Sequence, residues 1–264
     1  DAIIGEGGFG NTYKATNTEF QETIALKEFF IRGMTERDET TSQVSVSNVD
    51  NVDSFAQQKE KFKKEARRLR QFDNLHIVRV HDMFEENGTA YYVMDFIDGE
   101  SLSDRMKRTG KPLSDGEVRK FLPQILAALK CMHDAGLWHL DLKPANIMVD
   151  KADNAKLIDF GASKQMDSQN GGAQTKTAVA YTSGYAPREQ VELNYEKLGP
   201  WTDIYALGAT LYALLTMKKP PVPAEIDDDE SAGKHVALPF PDGVSNEMRA
   251  LVLRMINNNR KKRH

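Results

Sequence analysis

Between Asp141 and Asp159 the chain gathers two carboxylates, an amide and an ammonium: Asp141, Lys143, Asn146 and Asp159. Magnesium asks for a few oxygen ligands and shares its coordination with substrate phosphates, so Asn146 and Asp159 suffice chemically to hold one. Asp141 is then left to act as a base. A second group lies near the start, where Gly5, Gly7 and Gly10 stand as G-x-G-x-x-G and Lys27 closes the run Ile24-Ala25-Leu26-Lys27. Glycines let a backbone pass close over phosphates, and a lysine can pair with them. Taken one at a time these signals are weak: the glycine spacing also occurs in dinucleotide-binding proteins, Lys27 alone is an ordinary strand lysine, and Asp159-Phe160-Gly161 alone is a turn by chance.

The neighbouring residues say which elements must carry these groups. After the glycines come Asn11-Thr-Tyr-Lys-Ala15 and Thr23-Ile-Ala-Leu-Lys-Glu-Phe-Phe30, β-branched and aromatic with no helix cap. A hairpin is predicted here, not the strand-to-helix turn of a dinucleotide fold. From Arg32 to Ser54 the chain is polar and aperiodic and reads as a long loop, a candidate docking surface for a regulatory partner. Phe55 to Phe72 is predicted helical, with Phe62, Ala66 and Leu69 on one face. Glu65 lies beside that stripe and Glu60 away from it. The seven Lys and Arg residues from Lys59 to Arg70 are interrupted by acids and read as a solvated face. Ile77–Phe84 and Ala90–Ile97 flank Glu85-Glu86-Asn87-Gly88, a hairpin pattern. Ser114-Asp-Gly-Glu117 is a capping box ahead of the apolar series Val118, Phe121, Leu122, Ile125, Leu126 and Leu129. Apolar runs that read as short strands flank the polar groups after Asp141.

Composition excludes some classes. With 35 Lys and Arg against 39 Asp and Glu, the net charge of -4 leaves no basic footprint for nucleic acid. The longest apolar run, Ile204 to Leu215, is short of the roughly 18 to 20 residues that span a bilayer and reads as a buried helix. The single Cys131 sits in a helical pattern with no partner for an intrachain disulfide, which points to a reducing, cytoplasmic compartment and to packing in place of nucleophilic chemistry. No signal peptide opens the chain, and it reads as a domain excised from a longer protein, with membrane attachment through outside segments left open.

His139-Leu-Asp-Leu-Lys-Pro-Ala-Asn146 and Asp159-Phe-Gly161 resemble the catalytic loop and the metal loop of protein kinases, departing at Leu140 where the family motif has arginine. Ile24-Ala-Leu-Lys27 resembles the family's phosphate-binding strand, and Tyr185-Ala-Pro-Arg-Glu-Gln190 its Ala-Pro-Glu motif, with Pro187 and Arg188 substituted and Glu189 kept. The whole chain, in order, is similar to a eukaryotic-type serine/threonine protein kinase catalytic domain of the type lacking that arginine, and a bacterial member is compatible. The resemblance implies an α+β, bilobal fold: a small antiparallel N-lobe over residues 1–96 and a mostly helical C-lobe over 97–264. It implies ATP with Mg2+, or Mn2+ as a substitute, and a protein acceptor presenting serine or threonine.

By the same resemblance Asp141 is the catalytic base, Lys143 neutralises the transferring phosphoryl group, and Lys27, paired with Glu65, orients the α and β phosphates. Asn146 and Asp159 hold the metal. The nucleotide lies among Ile4, Gly5, Gly7, Gly10, Thr12, Ala25 and Lys27, gatekeeper Met94, the backbone from Asp95 to Ile97, Met148 and Ile158. Thr12 stands where the family has valine. Residues from Asp159 to Glu189 form an activation segment, with Ser163, Ser168, Thr175, Thr177, Thr182 and Ser183. Within it Thr182 is tied to the catalytic aspartate and lysine. Glu189 pairs with Arg263, Asp203 caps the buried helix and braces the catalytic loop, and His139 is structural. A small-molecule kinase of related fold and an inactive, partner-binding pseudokinase are the alternatives. Lys143-Pro144 and the segment ending near Glu189 weigh against the first, and the complete charged set weighs against the second.

Overall fold

β1 (Ala2–Gly7) pairs antiparallel with β2 (Gly10–Asn17), and β2 pairs with β3 (Glu22–Phe29) from Gly10↔Phe29 to Asn17↔Glu22, these last two being runs rich in β-branched and aromatic residues joined at Thr18–Gln21. The computed structural model describes residues 2–7, 10–160, 164–165, 181–225 and 238–263. They fall into two units, Asp1–Asp98 and Gly99–His264.

In the first unit the stretch expected to be a structureless loop contains a hairpin of its own, β4 (Thr35–Arg37) with β5 (Val44–Val46). That corrects the reading of Arg32 to Ser54. Polarity hid it: the strands are three residues each, and the connection is set by Asp38, whose Oδ1 accepts from the Thr40 and Thr41 amides at 2.9 and 2.8 Å. Helix α1 (Val52–Leu69) begins three residues earlier than the predicted Phe55 and ends three before Phe72. Phe55, Phe62, Ala66 and Leu69 are buried, and Phe62 stacks on Tyr92 at 4.9 Å while Phe29 meets Phe55 and Phe62 at 5.1 and 5.5 Å. Each such phenylalanine contributes roughly 1.5–3 kcal/mol by leaving water, which holds α1 against the sheet.

β6 (Val80–Glu86) and β7 (Thr89–Asp95) complete a five-stranded sheet in the order β1-β2-β3-β7-β6. Asn87 and Gly88 make their turn with φ of 50° and 74°, the paired positive values of a type I′ hairpin. Gly88 is doubly required, since a Cβ there would stand 2.5 Å from the Val44 carbonyl oxygen. The same turn accepts the Val44 N–H through the Asn87 carbonyl at 2.8 Å, fastening the β4–β5 hairpin to it.

The second unit opens with β8 (Gly99–Ser101) and α2 (Leu102–Thr109), followed by α3 (Asp115–Asp134). The predicted capping box is present on α3, with Ser114 Oγ accepting from Glu117 N at 3.2 Å and Glu117 Oε2 from Ser114 N at 2.8 Å. Cys131 is half-buried on this helix. β9 (Leu137–Trp138), β10 (Ile147–Asp150), β11 (Ala155–Leu157) and β12 (Lys164–Gln165) form a three-stranded sheet, β11-β10-β8, and the pair β12-β9. Then come α4 (Arg188–Val191), α5 (Pro200–Thr216) and α6 (Asn246–Met255). From Tyr205 to Leu215 every residue of α5 is buried, as its apolar run predicts. Asp203, expected to cap α5, does not: Gly199 is the N-cap residue, its N–H donating to Thr202 Oγ1 at 3.1 Å. Among the described residues no helix is long and apolar enough to cross a membrane.

Candidate active site

In the first unit Lys27 is the centre. Its register partners are Thr12 on β2 and Tyr92 on β7, and directly opposed residues of antiparallel strands share a face. By the same rule Ala25, opposite Lys14 and Met94, lies on that face two residues away. Lys27 Nζ is 3.6 Å from Glu65 Oε1 on α1, both side chains largely buried. Tyr92 adds its hydroxyl, which donates to the same Glu65 oxygen at 3.3 Å. Glu60, the alternative partner, instead meets Lys63 at 2.8 Å on the exposed side.

Gly5 stands opposite Thr12 and Gly7 opposite Gly10, so the glycines close the β1–β2 hairpin. Ile4, Gly5 and Gly7 are exposed, while Gly10 is buried with no room for a side chain: a Cβ would lie 2.2 Å from the Glu28 carbonyl oxygen. Gly8 and Phe9 lie outside the described residues. Met94, Asp95 and Ile97 are half-buried at the end of β7 and just past it. The Asp95 N–H donates to the Arg79 carbonyl at 3.0 Å, so that amide is not a donor left for a ligand edge.

In the second unit the loop after β9 is suspended from α5. Asp203, fully buried, accepts from the His139 and Leu140 amides at 2.9 and 2.8 Å. His133 Nε2 lies 2.8 Å from the same carboxylate. His139 is buried against the Phe160 ring at 5.0 Å, and burial lowers its pKa although Asp203, Asp141 and Asp159 pull the other way. A neutral, enclosed imidazole fits the expected structural role.

Asp141 is gripped on both oxygens. Lys143 Nζ donates to Oδ2 at 2.6 Å, Thr182 Oγ1 donates to Oδ1 at 2.6 Å, and Lys143 also donates to Thr182 Oγ1 at 2.9 Å. Asn146 donates its amide nitrogen to the Asp141 carbonyl at 2.8 Å and to Oδ2 at 3.2 Å. Asn146 Oδ1 is therefore its metal-facing option. The Ile158 N–H donates to the Asn146 carbonyl at 3.0 Å, which brings Asp159 alongside, exposed and with φ of 61°. Met148 on β10 and Ile158 are half-buried. Gly161, Ser163, Ser168, Thr175 and Thr177 lie outside the described residues.

Glu189 and Arg263 form a bidentate pair at 2.6 and 3.1 Å, with Arg263 only 2% exposed. Three further polar contacts carry no motif by which the sequence could show them. Gln190 Nε2 donates to the Leu140 carbonyl at 2.7 Å. His133 joins Asp203, as above. Glu28, 1% exposed, accepts from the hydroxyls of Tyr13 and Tyr91 at 2.8 and 2.9 Å and pairs with Arg37 of the β4–β5 hairpin. In the sequence Glu28 is simply a glutamate in a strand.

The protein kinase domain family matches residues 1–264. The chain belongs to that family. A serine/threonine-protein kinase B of Synechocystis sp. is 34% identical over 89% of this kinase domain and 40% of its own length. A probable serine/threonine-protein kinase nek1 of Dictyostelium discoideum is 28% identical over 97% of this chain and 52% of its own. A solved structure described as "PpkA-294 apo form" superposes with a TM-score of 0.83 at 29% identity, covering 99% of this chain and 90% of that one. The chain thus spans about half the length of the curated relatives it matches.

The oxygen donors of this kinase domain suit a hard cation shared with a nucleotide. Asn146 is held by its nitrogen, and Asp159 adds a carboxylate beside it. Among the described residues no cluster of three or more His, Cys, Asp or Glu could cage a metal by itself. An amide and a carboxylate leave the remaining positions to water and phosphate, the habit of Mg2+.

Proposed function

We propose that this domain transfers the γ-phosphoryl group of ATP to serine or threonine hydroxyls of proteins. The observation that carries the reading is the Asp141 carboxylate held between Lys143 and Thr182. An acceptor hydroxyl oxygen attacks the γ-phosphorus, the bond to the β-phosphate oxygen breaks, ADP leaves, and the hydroxyl proton passes toward Asp141. Such transfer is mostly positioning and charge neutralisation. Lys143 balances charge on the moving group, and Lys27, oriented by Glu65, takes the α and β phosphates. Asn146 and Asp159 are the residues that hold Mg2+, or Mn2+ in its place, and the cation supplies neutralisation of phosphate charge. In the first unit the glycine hairpin with Ile4, Thr12, Ala25, Met94 and Ile97 serves the nucleotide, Asp95 through its carbonyl; in the second, that role is assigned to Met148 and Ile158. We assign residues 1–96 and 97–264 to the two lobes, the 32–54 segment to docking of a regulatory partner, and the domain to the cytoplasm on the strength of its lone Cys131.

The test is transfer from labelled ATP with magnesium to a generic basic protein and to the chain itself, followed by phosphoamino-acid analysis. Phosphoserine and phosphothreonine are expected. Mainly phosphotyrosine would overturn the acceptor class, and no transfer to either acceptor would return the chain to a binding role.

A further inference from the structure

The peptide unit joining Leu140 to Asp141 is held from both sides. Leu140 has φ of 63°, a conformation that leucine rarely adopts and that its surroundings must impose. Its N–H goes to Asp203 Oδ1 at 2.8 Å, its side chain is buried with Trp138 and Leu198, and its carbonyl accepts from Gln190 Nε2 at 2.7 Å. On the other edge of the same unit, the Asp141 N–H lies 3.4 Å from His139 Nδ1. Gln190 is only 2% exposed, and its Oε1 is buried with no hydrogen-bond partner among the described residues. A buried amide with an unsatisfied oxygen is costly. The donor end, aimed at Leu140, is what offsets that cost. Gln190 is itself delivered rigidly, since its neighbour Glu189 is the residue clamped by Arg263.

We propose that Gln190 is a positioning residue for Asp141, fixing the peptide plane from which the carboxylate projects. The inference rests on Asp141 being the base of the reaction proposed above. Thr182 and Lys143 set which way the Asp141 oxygens face, whereas Gln190 sets where the backbone beneath them stands. Its loss should therefore act on kcat and leave ATP binding alone, because neither Gln190 nor Leu140 is assigned to the nucleotide.

Gln190→Met keeps length and bulk without the donor, and Gln190→Glu keeps the shape while placing an acceptor against the Leu140 carbonyl. Both are expected to lower kcat about fivefold or more with KM for ATP within about twofold of wild type, the signature of lost transition-state positioning. The Asp141 amide resonance, which belongs to the same peptide unit, should move in the 1H–15N spectrum of either variant. If one variant does not fold, the other decides. A smaller kcat loss, a rise in KM for ATP that accounts for the loss, or an Asp141 resonance left in place overturns the proposal. Asp141→Asn is measured alongside: if it stays active, the base assignment fails and takes the role of Gln190 with it. An inactive Asp141→Asn beside unimpaired Gln190 variants sinks the role of Gln190 alone.

Discussion

Asp141 has its two oxygens divided between an ammonium and a hydroxyl, each at 2.6 Å. Such a carboxylate is poised by geometry, so removing its charge should harm turnover far more than nucleotide affinity. Asp141→Asn is expected to reduce kcat by about two to four orders of magnitude, the usual worth of a positioned general base. Steady-state kinetics with a protein acceptor checks this, and retention of more than about a tenth of wild-type transfer would reassign the base. Lys27 and Glu65 make a looser pair, 3.6 Å apart, shared with the Tyr92 hydroxyl. Glu65→Gln keeps the shape and the Tyr92 contact but removes the carboxylate charge that faces Lys27. It should lower kcat/KM for ATP about tenfold, ~1.4 kcal/mol of transition-state stabilisation. Equal values in variant and wild type would remove Glu65 from the site.

At the scale of elements, α4 is tied to α5 and the chain end by one buried ion pair. Arg263 Nη1 reaches Glu189 and also the Trp201 carbonyl at 3.1 Å, and its guanidinium lies 5.0 Å from the Tyr205 ring. Deleting one partner strands a buried charge, so Arg263→Ala should cost about 3–5 kcal/mol of unfolding free energy. Urea denaturation measures it, and a change below about 1 kcal/mol would mean that the pair is solvated. Leu140 decides a second question here. Buried with Trp138 and Leu198, it has no donor for a phosphate on the activation segment. Alanine at Ser168, Thr175 and Thr177, or phosphatase treatment, is expected to change activity by less than about threefold. A tenfold loss at unchanged thermal stability would show that another cation reads such a phosphate.

For the molecule as a whole, stability should depend on pH at both ends of the range. Burial raises the pKa of Tyr91 and Tyr13 in the first unit, helped by Glu28, and of Tyr185 and Tyr212 in the second, all above the ordinary 10.0. Unfolded, these phenols ionise near 10 while the folded state still keeps their protons. The stability is therefore complete below pH 10 and falls as pH rises beyond it. His139 works in the opposite direction: its lowered pKa means that the unfolded chain takes up a proton below pH 6.5 when the folded chain does not, so stability falls as pH drops from there. Unfolding free energies between about pH 5 and 11 should describe a dome with its plateau between these limits. A stability that kept rising above pH 10 would contradict the burial of the tyrosines.

Residue order alone determined much of this protein, because each of its chemical groups sits in a short run whose local conformation is also local in sequence. Catalytic-loop, metal-loop and glycine motifs, the capping box on α3 and the apolar run of α5 all belong to this kind. Pairings across long separations, Lys27 with Glu65 and Glu189 with Arg263, could be expected only because the motifs resemble those of a known family. What remained for the tertiary structure were contacts in which ordinary residues become special by burial. Glu28 gathers two tyrosines and an arginine, and a polar stretch folds as a hairpin because Glu28 and the Asn87–Gly88 turn receive it. Asp203 is drawn away from capping its helix because two loop amides need its oxygens, and Gln190 meets Leu140 across fifty positions of chain. Buried hydrogen-bonding groups find their partners in space, and no spacing along the chain encodes that distance.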